Sequence, residues 1–79
     1  MVHRPFLEIA EQISAATKAL MAARGIRTEV LAAEIGVIRN QTFAKLRGAS
    51  PWKASEVFSI AEFFGVRVQD LFDGLGLLG

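Results

Sequence analysis

Between Arg39 and Arg47 the chain reads R-N-Q-T-F-A-K-L-R. Arg39, Asn40, Gln41 and Lys45 crowd forked or cationic side chains into about two helical turns. Their chemistry is hydrogen-bond donation and acceptance at fixed geometry. Base-pair edges in a DNA major groove present targets of that kind: Arg suits guanine, Asn or Gln suits adenine, and Thr42 or Ala44 suits a thymine methyl. Gln41, Thr42, Lys45 and Asn40 are the expected base readers. Arg39, Arg47 and Lys53, near helix ends, are expected on phosphates. So are Thr28 and Ser50, at helix starts where backbone N–H groups receive anions.

Other chemistry finds little support. The chain has no cysteine and one histidine, His3, which excludes disulfides and thiolate metal sites and leaves no Ser-His-Asp arrangement. Glu8 with Glu11, and Asp70 with Asp73, lack any nucleophile or metal-binding companion and read as solvated faces. No enzyme, cofactor or metal is expected.

The elements that must position these residues follow from periodicity. Phe6, Ile9, Ile13, Ala16 and Leu20 recur at spacings of three and four, one face of an α-helix. With Pro5 in its first turn and Gly25 at its stop, this helix covers about residues 5–24. Thr28 caps a second helix that ends at Gly36, with Leu31, Ala32 and Ile35 inward. A tight turn follows, in which Val37 or Ile38 returns to the core. A third helix is capped by Asn40 and ends at Gly48; Phe43 and Leu46 give its buried edge. Ser50-Pro51 signals the start of a fourth, with Val57, Ile60, Ala61 and Phe64 inward and Gly65 at its end. Val68, Leu71 and Phe72 give a short fifth. No strand alternation is persuasive, so the chain reads as all-α with five helices. The second and third are too short to be stable alone and need the others. Two short helices joined by a tight turn are the signature of a DNA-binding helix-turn-helix.

The 79 residues are expected to form one domain, with a core over about 5–72 and an apolar tail over 73–79. Net charge is only +1, but its distribution is uneven. No acid lies between Ile35 and Ser55, where Arg39, Lys45, Arg47 and Lys53 stand, so positive potential gathers on the third helix and the segment after it. No apolar run approaches the roughly 18 residues that span a membrane, and the N-terminus lacks a signal-peptide pattern. A cytoplasmic, nucleoid-associated protein is expected.

The run L-A-A-E-I-G-V, then R-N-Q-T-F-A-K-L-R-G, Ser-Pro, and S-I-A-E-F-F-G-V-R-V-Q-D-L-F resembles the Cro and C1-type phage repressor helix-turn-helix domains, the XRE family. The resemblance covers about residues 8–72, and its closing segment is its most family-specific part. It implies a lambda-repressor-like fold and a sequence-specific DNA-binding regulator, usually a homodimer, often governing a phage or mobile-element switch. In that family the inward residues of the recognition helix fall six and nine positions after the turn glycine. Here those are Thr42 and Lys45, with Phe43 and Leu46 one step further on. The sequence therefore predicts a turn one residue longer than the family's.

A pseudo-palindromic double-stranded operator and a homodimer are the expected partners. Phe63, Leu75, Leu77 and Leu78 are candidates for the dimer interface, and the tail could also dock another protein. Two other functions are weighed: the antitoxin of a toxin–antitoxin pair, which some members of the family are, and an α-helical interaction module that has lost DNA binding. The acid-free window around the third helix argues against the last.

Overall fold

The structure, a computed structural model, describes residues 5–72, with side chains from Ala10 onward. The expectations for the side chains of Phe6 and Ile9 lie outside what is described, and Leu75, Leu77 and Leu78 lie outside the described residues. Five α-helices follow one another: α1 (Pro5–Arg24), α2 (Thr28–Ile35), α3 (Arg39–Leu46), α4 (Ala54–Phe64) and α5 (Val68–Phe72). Among the described residues there is no strand, and the fold is all-α as the periodicity predicts. No helix among them is long and apolar enough to cross a membrane.

The long α1 packs against α3, α4 and α5, while α2 packs against α3 and α4. The spacing in α1 delivers Ile13, Ala16 and Leu20 to one buried stripe, joined by Met21. Leu31 of α2, Ile60 of α4 and Leu71 of α5 meet that stripe and are fully buried. Each such side chain contributes about 1.5–3 kcal/mol by leaving water. One polar tie closes the far end of the bundle. The Arg24 guanidinium donates to the Phe64 carbonyl at 2.7 Å and lies 5.6 Å from the Phe64 ring centroid. A C-terminal carbonyl of α4 that has no intrahelical partner is thereby satisfied by α1.

Gly36 ends α2 with φ 71°, the left-handed conformation that glycine adopts without penalty. The next amide, Val37 N–H, returns to the Ala32 carbonyl at 3.1 Å. This closure turns the chain sharply, and α3 starts after only Gly36, Val37 and Ile38. Val37 is the turn residue that packs on the core; Ile38 is exposed.

Three helix starts differ from expectation. α2 begins at Thr28 itself, and Arg27 holds the cap position without a side-chain bond, so Thr28 is not the cap. α3 begins at Arg39, and Ile38 holds the cap position without a side-chain bond, so Asn40 is not the cap. α4 begins at Ala54 rather than at Ser50-Pro51. Its first turn is secured from within: the Glu56 carboxylate accepts the Lys53 N–H at 2.8 Å, satisfying an amide that otherwise has no partner at a helix start.

Candidate nucleic-acid interface

α3 buries Thr42, Lys45 and Leu46. Two of these are polar, and each is satisfied where it lies. Thr42 is 0% exposed, and its hydroxyl donates to the Ile38 carbonyl at 3.0 Å. Lys45 extends its aliphatic stem inward, and its ammonium donates at 2.6 Å to each carboxylate oxygen of Glu56. A buried charge is tolerated when it is paired and hydrogen-bonded. The backbone of Lys45 is fixed as well. Ser14 Oγ–H of α1 donates to the Lys45 carbonyl at 2.6 Å, and Trp52 Nε1–H donates to Ser14 Oγ at 2.9 Å. One chain of bonds therefore seats α3 on α1 and on the entry to α4.

This seating corrects two sequence expectations. Thr42 and Lys45 do not reach the outer face, so neither is placed to touch a base. The turn is not lengthened either. The positions six and nine after Gly36 are buried, in the register the resemblance implies, and Phe43 is 38% exposed. Apolar patterning alone misplaced Phe43 because two polar residues occupy inward positions beside Leu46. The family register was the signal that could have found it.

The outer face of α3 presents Arg39, Asn40, Gln41, Phe43 and Arg47, with Ala44 half-exposed among them. Asn40, Ala44 and Arg47 lie opposite the buried stripe and form its centre line; Gln41 flanks them on one side and Phe43 on the other. The Arg39 guanidinium lies 5.2 Å from the Phe43 ring centroid, a cation–π contact. Of the expected base readers, Asn40 and Gln41 share this face. Of the expected phosphate contacts, Arg39, Arg47 and Lys53 are exposed, Thr28 is half-exposed at the first residue of α2, and Ser50 is half-buried in a bend before α4.

The charge distribution also changes. Lys45 is neutralised by Glu56, so the positive character of this side rests on Arg39, Arg47 and Lys53. Glu29 stands in the first turn of α2. Its carboxyl is held below the ordinary range, first by a backbone N–H bond and then by the charges of Arg27 and Arg39. Arg27 lies 3.4 Å from it.

Away from α3, Phe63 is half-buried and meets Phe64 edge-on, with ring centroids 5.0 Å apart. Phe58 is 63% exposed and borders an open cleft of about 290 Å³ lined by Ile13, Trp52, Val57, Val68 and Phe72. The sequence singled out Phe63 for subunit contact; in the folded chain Phe58 is the more exposed ring of α4.

The sequence matches the model of one protein family, the BetR domain, over residues 7–77. No curated protein and no solved structure matches the chain.

Proposed function

The chain belongs to the BetR domain family of small helical domains, and from that premise we propose that it is a sequence-specific double-stranded DNA-binding regulator of the Cro/C1 type. The observation that carries this reading is the outer face of α3. A three-residue turn presents a short helix whose exposed side chains are Arg39, Asn40, Gln41, Phe43 and Arg47, with no acid among them.

In this reading α3 enters the major groove. Asn40 and Gln41 offer amides to adenine, and Arg39 offers its fork to guanine or to phosphate at the groove edge. The first amides of α2, beside Thr28, and of α4, beside Lys53, face the flanking phosphates. Arg47 adds charge that holds the helix against the backbone. A cytoplasmic homodimer would place two copies of α3 in successive grooves, about 34 Å apart on one side of the duplex. The contact between subunits would use α4, α5 or the segment after them.

The test is selection of a random duplex library against the purified protein at near-physiological salt, with the bound pool sequenced. An enriched palindrome supports a dimeric reader. Binding without enrichment that collapses as salt rises means backbone attraction alone.

One observation favours a second reading, an interaction module or the antitoxin of a toxin–antitoxin pair. Phe58 stands exposed beside an apolar cleft, as a residue awaiting a protein partner would. No DNA binding at any salt would move the assignment there.

A further inference from the structure

We propose that Phe43 reads the 5-methyl group of a pyrimidine in the major groove, so that the protein distinguishes a methylated pyrimidine from an unmethylated one at a position of its site. The inference rests on the DNA-reading function proposed above and names a specificity determinant within it.

Phe43 is the one large apolar side chain on the outer face of α3, and its neighbours there are Arg39, Asn40, Gln41 and Arg47. Part of the ring sits at the lip of a groove formed with Met21, Thr28 and Leu46. The residue as a whole is 38% exposed. It borders that groove, and the Arg39 guanidinium lies 5.2 Å from its ring centroid. Asn40 precedes Phe43 by three residues and Arg39 by four, so amide, guanidinium and ring share one side of the helix. A group that reaches a base edge with Asn40 brings the ring to the same stretch of groove.

On the major-groove edges of the bases, the apolar group is the methyl on pyrimidine C5, carried by thymine. 5-Methylcytosine offers the same group at the same place. Against every other edge feature the ring would displace water from polar atoms without replacing their hydrogen bonds. Contact with the methyl instead removes apolar surface on both partners from water. The Arg39 fork, lying against the ring, is delivered to the adjoining base or phosphate in a restricted geometry. The rival account is that Phe43 only covers the groove between α1 and α3. That account predicts a stability role and indifference to the methyl.

The experiment is a methyl scan on the site recovered by library selection. Each thymine is replaced singly by deoxyuridine, which removes only the methyl, and each cytosine singly by 5-methylcytosine, which adds one. Wild type, Phe43→Ala and Phe43→Gln are titrated on each duplex. The expected result is a roughly four-fold loss for wild type on removing the methyl at one thymine, the effect of one buried methyl-sized group. If the position read is a cytosine, the expectation is a gain of similar size on methylation. Either effect disappears in the variants. Phe43→Gln keeps bulk over the groove and serves if the alanine variant unfolds. Wild-type indifference to the methyl at every pyrimidine overturns the proposal. So does equal methyl sensitivity in the variants. A site that is enriched but methyl-blind removes this inference alone, whereas a library with no enriched sequence removes the DNA-reading function with it.

Discussion

The Lys45 ammonium lies 2.6 Å from both carboxylate oxygens of Glu56, and the two side chains are almost wholly buried. The pair joins the last turn of α3 to the first turn of α4, and the same carboxylate holds the Lys53 amide. Removing one partner leaves a buried charge unmet. Glu56→Leu and Lys45→Met are each expected to cost about 3–5 kcal/mol. Replacing both, as Lys45→Met with Glu56→Leu, is expected to recover most of that loss, because a packed apolar pair needs no desolvation. Urea denaturation of the four proteins gives the coupling. Additive losses would show that the two groups do not depend on each other.

On the outer face, side chains that read bases and side chains that hold phosphate should separate under mutation. Asn40→Ala and Gln41→Ala are expected to weaken binding to the selected site by about 1–3 kcal/mol and to broaden the bases accepted at one position each. Arg47→Ala is expected to weaken binding to all sequences alike and to lower the slope of log affinity against log salt by about one. Binding isotherms on matched and scrambled duplexes at several salt concentrations make the comparison. A uniform loss from Gln41→Ala would take Gln41 off the list of readers.

The turn before α3 depends on Gly36 at φ 71°. A Cβ there meets no atom within 4 Å, so any cost of a side chain is a backbone cost. Gly36→Ala is expected to lose about 1–2 kcal/mol, the penalty for an L-residue held left-handed. Gly36→Asn should lose less, because its side chain tolerates that conformation. Thermal or denaturant melts measure both. An alanine variant as stable as wild type would mean that α2 ends in another way.

At the start of α5, Asp70 accepts the Arg67 guanidinium at 3.0 Å and the Arg67 N–H at 3.1 Å. The side-chain bond from Arg67, then the backbone bond, holds its carboxyl below the ordinary 3.8. A carboxyl depressed by folding adds stability above its unfolded value, and that contribution is lost as pH falls through the folded one. The stability difference between wild type and Asp70→Asn should therefore be constant near neutral pH and shrink as pH drops below 3.8. Denaturation at a series of pH values checks it. A difference that grows toward acid would reverse the sign of the argument.

Where burial and local signals agree, the chain could be read directly. The α1 stripe of Ile13, Ala16 and Leu20 is buried as its spacing predicts, and α2 ends at Gly36. Reading failed where a polar residue is buried by a partner distant in sequence. Nothing near Lys45 announces that Glu56, eleven residues on, will receive it, so Lys45 looked like a free cation on an outer face. Thr42 and Phe43 exchanged roles for a local reason: the Ile38 carbonyl, four residues back, accepts the Thr42 hydroxyl, so a polar side chain lies inward where the pattern asks for an apolar one. The start of α4 was missed for a related reason. Ser50-Pro51 is a good local start, but Glu56 captures the Lys53 amide and Trp52 is tied back to α1, which delays the helix to Ala54. Asn40 and Gln41 were legible because an exposed polar side chain needs no partner within the protein.

Trp52 is the single tryptophan of the chain. Its indole N–H is bonded to Ser14, which is bonded in turn to the Lys45 carbonyl, and its ring centroid lies 6.0 Å from the Lys45 ammonium. The protein thus carries its own optical gauge at the joint where α3 is seated. Ultraviolet emission excited at that indole should shift and change intensity when α3 leaves α1, and hold steady through events that spare the joint. Loosening of the reading helix can in this way be followed without a label and told apart from fraying elsewhere in the bundle.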